Sequence, residues 1–146
     1  MTRAEPAGDE PVGLLRRLAA VLYDALLVLA LVFLGTLVLV ILNAGEAIPA
    51  HTWWYRLFLL AIPAGYFVLF WLRGGETLGM KSWRIMLVSR DGRPVTPRQA
   101  LVRTASAALS WLPCGAGFFW SLVDRDGLAW HDRLSNTRLV HSVKRR

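Results

Sequence analysis

Between Leu18 and Leu42 the chain runs 25 residues without a Lys, Arg, His or Pro, and Asp24 is its one charged side chain. At about 1.5 Å rise per residue a helix of this length reaches roughly 37 Å, enough to cross a hydrocarbon core about 30 Å thick with some tilt. A helix at the surface of a soluble protein keeps a polar face, and this stretch has none, so it reads as a membrane span. Asp24 makes it more than an anchor. A carboxylate near the bilayer centre costs about 3 kcal/mol or more, and Leu would anchor better. Arg17 lies seven positions earlier, two helical turns, on the same stripe, with the small Ala20 between them. The Arg17–Asp24 face is therefore expected to point into protein. Snorkelling to the interface is the weaker alternative, because the Asp stem is short.

Of the 146 residues, 55% are hydrophobic and seven are Trp, and mean hydropathy is +0.41, the profile of one membrane domain rather than a small soluble one. The net charge of +7 raises nucleic acid as a partner. However, the basic residues flank apolar segments instead of lining an amphipathic face, so the expected partner is the lipid bilayer and not nucleic acid. A single cysteine, Cys114, excludes an internal disulfide and a cysteine metal quartet. The first apolar run is too long for a cleaved signal peptide.

Residues 1–12 read as a flexible tail, 13–143 as a single membrane domain and 144–146 as a basic tail. A second span is expected from about Trp54 to Leu72, entered through Trp53, Trp54 and Tyr55, kinked at Pro63, and carrying a small-residue contact at Ala61 and Gly65. The link from 43 to 53 has no Lys or Arg, whereas 73–99 has six. The orientation rule thus puts both termini on the cytoplasmic side and the link outside, and a bacterial-type plasma (inner) membrane is the expected location. Residues 82–89 are rich in strand formers, Asp91-Gly92 is a turn, and residues 94–97 permit a short edge strand. A small cytoplasmic β-hairpin is expected, which Thr137–Val143 extends. The third apolar region, about 100–123, carries Arg103 and the breaker Pro113-Cys-Gly-Ala-Gly117. A straight crossing would strand six basic residues outside, so a re-entrant or shallow helical hairpin is favoured over a kinked third span. The fold class is then an α-helical membrane protein with two transmembrane helices, a broken hairpin and a small sheet.

The segment from Gly74 through Gly79 to Ser82 superficially resembles a phosphate loop, but Met80 separates Lys81 from the second glycine and no strand precedes it. Gly75 and Gly79 are better explained by the turn at which the chain leaves the membrane, with Thr77 capping a short helix. His131-Asp132 supplies too few ligands for a metal, and no serine sits in a nucleophile elbow. No enzyme activity, metal or cofactor is expected. Asp132 is instead expected to cap a helix end or to meet Arg17 or Arg103.

Together, Arg17 with Asp24, the loop Gly75-Glu-Thr77-Leu-Gly79-Met-Lys81, and the terminal His131-Asp132-Arg-Leu-Ser-Asn-Thr137 resemble the RDD family of integral membrane proteins. The resemblance covers about Gly13 to Val143. It implies that Arg17, Asp24 and Asp132 are the arginine and two aspartates for which the family is named. Two departures stand out: Met80 where Lys is usual, with Lys81 following, and Ser135-Asn136 in place of Ala-Gly. Asn tolerates positive φ, so the second is mild. By resemblance the chain takes part in transport of unidentified ligands, and the family's domain also occurs joined to other modules. Two roles follow for the polar residues. Asp24 could exchange a proton or hold a cation in a translocation module, which with so few helices requires homo-oligomers or other membrane proteins. Alternatively Arg17, Asp24, Arg103 and Asp132 form a structural core in an accessory or scaffold protein.

Overall fold

A computed structural model describes residues 5–6, 12–111 and 130–143. Helix α1 spans Leu14–Leu42 and α2 spans Trp53–Gly74, and both are long and apolar enough to cross a membrane. Their burial inverts that of a soluble protein. The buried residues of α1 are Ala20 and Asp24, while Leu22, Leu26, Leu29, Phe33 and Ile41 face outward. In water so large an apolar surface would drive association, whereas in lipid it is the solvated face. The two helices approach closely at Gly35, where a Cβ would come within 2.8 Å of the Phe58 ring, and Thr36 and Tyr55 share a hydroxyl hydrogen bond of 3.1 Å beside it. The close contact expected at Gly65 is not made there, since a Cβ at Gly65 meets nothing within 4 Å. Helix α2 runs through Pro63, whose ring removes the N–H that would reach back one turn.

Gly75 ends α2 in the left-handed region at φ +72°, which a Cβ would disfavour. Its carbonyl accepts the Leu87 N–H at 2.7 Å, so the end of α2 is tied directly to the strand that contains Leu87. Thr77 caps the short helix α3 (Leu78–Ser82), accepting the Met80 N–H on its hydroxyl. Strand β2 (Ile85–Ser89) is buried throughout. It pairs antiparallel with β3 (Thr137–Val143), from Ile85 opposite His141 to Ser89 opposite Thr137. A two-residue strand, β1 (Glu5–Pro6), pairs with the other edge of β3, giving the order β1-β3-β2. Part of the stretch expected as a tail is therefore hydrogen-bonded to the sheet.

The expected ladder between residues 82–89 and 94–97 does not form. Pro94 and Pro97 have no N–H to give a ladder, and Ser89 N–H to the Arg93 carbonyl at 2.9 Å merely closes a turn. Thr96 instead opens helix α4 (Pro97–Trp111). Its N–H and hydroxyl meet the Gln99 side-chain oxygen while its hydroxyl accepts the Gln99 N–H, a reciprocal capping box with proline at the first helical position. The broken hairpin expected over 100–123 lies outside the described residues beyond Trp111. Helix α5 (Trp130–Leu134) precedes β3. Ile85 and Leu87 join Trp71, Met80 and Ala100 in one core, and Met86, Val88 and Val140 form a second. The small sheet is thereby fastened to the polar end of the two long helices.

Candidate functional site

The polar residues singled out in the sequence divide into two clusters, each centred on one aspartate. Asp24, on the second turn past Arg17, accepts three hydrogen bonds: from the Tyr66 hydroxyl at 2.7 Å, the Thr77 hydroxyl at 2.5 Å and the Gly79 N–H at 2.8 Å. The donors come from α2, from the turn after it and from α3. One carboxylate therefore joins α1 to all that follows. Gly79 is required by this approach, because a Cβ there would lie 2.3 Å from the Ala20 carbonyl oxygen and 2.8 Å from the Asp24 carboxyl carbon. Tyr66 was not legible from spacing, since residues 42 apart meet only once the two long helices have packed.

The second cluster gathers α1, α4, α5 and β3. Asp132, with no exposed side-chain surface, receives Arg17 Nη1 at 3.3 Å and Arg103 Nη1 at 2.5 Å. Arg17 Nε also donates to the Val12 carbonyl at 3.0 Å, which fixes the chain entering α1. Arg103 Nη1 donates to the Thr137 hydroxyl at 2.8 Å, and its guanidinium lies 5.2 Å from the centre of the Trp71 ring, a cation–π contact. Ser135 Oγ sits 2.6 Å from both the His131 carbonyl and the Thr137 hydroxyl. A hydroxyl carries one proton and a carbonyl none, so Ser135 donates to His131 and Thr137 must donate to Ser135. The direction of the whole chain, from Arg103 through Thr137 and Ser135 to the His131 carbonyl, is thus set. Asn136 turns this segment at φ +52°, a conformation Asn accepts in place of glycine.

Among the loop residues, Gly75, Thr77, Gly79 and Met80 are buried and Lys81 is exposed. No group of three or more His, Cys, Asp or Glu that could hold a metal ion occurs among the described residues. Between the two clusters lies a cavity of about 290 Å³ whose lining includes Arg17, Asp24, Arg103 and His131, with Leu18, Pro63 and Ala107 among its apolar walls.

Burial pushes the His131 imidazole down to about 4, helped by the positive charges of Arg103 and Arg17 and opposed by Asp132. The unfolded chain takes up this proton near pH 6.5, the folded chain near 4. Stability is therefore complete above pH 6.5 and falls as the pH drops towards 4, by roughly 3 kcal/mol at most. Melting temperatures in detergent from pH 7 to 4.5 should decline more steeply for the wild type than for His131→Gln. Parallel curves for the two proteins would contradict this assignment.

Comparison with curated proteins and with solved structures finds no match. The model of the RDD family matches residues 11–136, a stretch that holds both aspartates, both arginines and the two apolar helices. This chain is an integral membrane protein and belongs to the RDD family.

Proposed function

We propose that this chain is a non-catalytic accessory or scaffold protein of the plasma (inner) membrane. Its two aspartate clusters act as joints that hold a small cytoplasmic platform of helices and sheet against the ends of two spans. The observation that carries this reading is the saturation of Asp24. Both of its oxygens are engaged, by donors from three separate segments, as befits a group that holds elements together. The absence of Lys and Arg from residues 43–53, against six in 73–99, supports a cytoplasmic platform and cytoplasmic termini. The outward-facing apolar surface of α1 leaves room for lipid, for a second copy or for another membrane protein.

A second reading, a transport or ion-translocation module, is favoured by the cavity that reaches Asp24. Asp24→Asn separates the two. It puts an amide where Thr77 now donates, and Thr77 already accepts from Met80. On the architectural reading, unfolding in detergent should show a loss of roughly 1–3 kcal/mol, with no change in ion flux across liposomes. Flux that the wild type supports and a stably folded Asp24→Asn protein lacks would establish transport instead.

A further inference from the structure

The architectural reading accounts for the aspartates but leaves hydrogen-bond donors unused around the cavity. Among the described residues, both hydrogen bonds of Arg103 leave from Nη1, so its Nε and Nη2 have no acceptor although the residue is 4% exposed. Arg17 engages Nε and Nη1 but not Nη2. The Trp71 Nε1–H is buried without a partner, in a residue 8% exposed. All three side chains line the same cavity. The Trp71 Nε1–H is a buried donor left unpaired, which costs free energy, and the unbonded guanidinium nitrogens beside it are available to donate into the same cavity, so the site suits an acceptor. Asp24 also lines the cavity, but its oxygens are already committed to Tyr66, Thr77 and Gly79. Among the described residues, Arg17 and Arg103 both meet the one carboxylate of Asp132, two positive charges against one negative in those contacts. The neighbouring His131 is neutral at physiological pH.

The remaining walls are apolar or small: Leu18, Val21, Pro63, Ala64, Ala107 and Ala108. The alanines make the space, since larger side chains would fill it. Leu18 is 41% exposed, so the wall continues onto the outer, lipid-facing surface of α1. At roughly 30 Å³ per water-sized group, about 290 Å³ holds on the order of ten heavy atoms. That is enough for a phosphate and part of a glycerol, but not for two acyl chains.

We propose that this cavity binds the acidic headgroup of a membrane phospholipid, the phosphate accepting from Arg103, Arg17 and Trp71 while the acyl chains stay in the bilayer along α1. Guanidinium groups suit the phosphate geometrically, and burial beside Trp71 strengthens the contact. The proposal goes beyond the architectural role, which requires no ligand.

The test is native mass spectrometry of the full chain in detergent, titrated with phosphatidylglycerol. One tightly retained lipid per chain is expected. Ala107→Leu fills the cavity without touching a charge and should weaken retention at least tenfold, with an unchanged or higher melting temperature. Trp71→Phe keeps an aromatic ring beside Arg103 and removes the N–H together with the five-membered ring that carries it; it should weaken retention three- to tenfold, and it decides the matter if Ala107→Leu does not fold. Equal retention by wild type and variants would overturn the proposal. So would equal binding of diacylglycerol, which lacks the phosphate, or displacement of the lipid by millimolar inorganic phosphate, which would mark a site for free anions.

Discussion

Asp132→Asn is expected to destabilise the folded protein by roughly 3–5 kcal/mol, the range for removing one partner of a buried ionic network. The side chain is fully buried and meets Arg103 at 2.5 Å and Arg17 at 3.3 Å. Its loss removes the carboxylate that Arg17 and Arg103 share and leaves both positive charges beside a neutral His131. Arg17→Met should cost less, roughly 1–2 kcal/mol, because Asp132 keeps Arg103 and because Arg17 is 10% exposed at its side chain. Equilibrium unfolding in mild detergent, followed by circular dichroism, measures both. If Asp132→Asn lost no more than Arg17→Met, the view of Asp132 as the joint between α1, α4 and α5 would fail. The asymmetry matters for function as well. A residue whose loss loosens three elements will depress every activity of the protein, so activity assays on Asp132 variants need a folding control.

Gly79→Ala should cost a comparable amount, roughly 3–5 kcal/mol, for a different reason. A methyl group at this position would lie 2.3 Å from the Ala20 carbonyl and 2.9 Å from an Asp24 carboxylate oxygen. The carbonyl belongs to a rigid helix and cannot move aside cheaply. Pushing α3 away breaks the Gly79 N–H bond to Asp24 at 2.8 Å, a charge-assisted contact between buried groups. Gly65→Ala is the control. Nothing lies within 4 Å of a Cβ there, and replacing glycine within α2 should be neutral or stabilising by up to about 1 kcal/mol. Similar losses for the two substitutions would mean that α1 and α3 do not approach as closely as Ala20 and Gly79 place them.

These two sites show where sequence reasoning stops. Gly65, four positions after Ala61, has the spacing of a helix contact, while the close approaches occur at Gly35 and Gly79. Spacing along one helix says which residues share a face, but not which element comes to meet that face. The same gap explains the sheet. Strand character over 82–89 and over 137–143 could be read locally, and β2 and β3 do pair with each other. The nearer partner offered by residues 94–97 was attractive because hairpins close at low entropic cost. Thr96 and Gln99 carried the contrary signal, a capping box directly before Pro97.

What the amino-acid order alone determined was the pair of long apolar helices, the asymmetry of basic residues between the short link and the stretch after the second helix, and the oddity of a carboxylate inside the first helix. Each depends on solvation of single segments, and length, charge and hydropathy are properties a segment carries by itself. Only the tertiary structure decided that Asp24 and Arg17, though on one helix stripe, serve different partners: Tyr66, Thr77 and Gly79 for the aspartate, Asp132 and the Val12 carbonyl for the arginine. Those partners lie up to 115 residues away. Only packing brings them within hydrogen-bond range, because a buried charge takes the nearest complementary group in space, wherever that group stands in the chain.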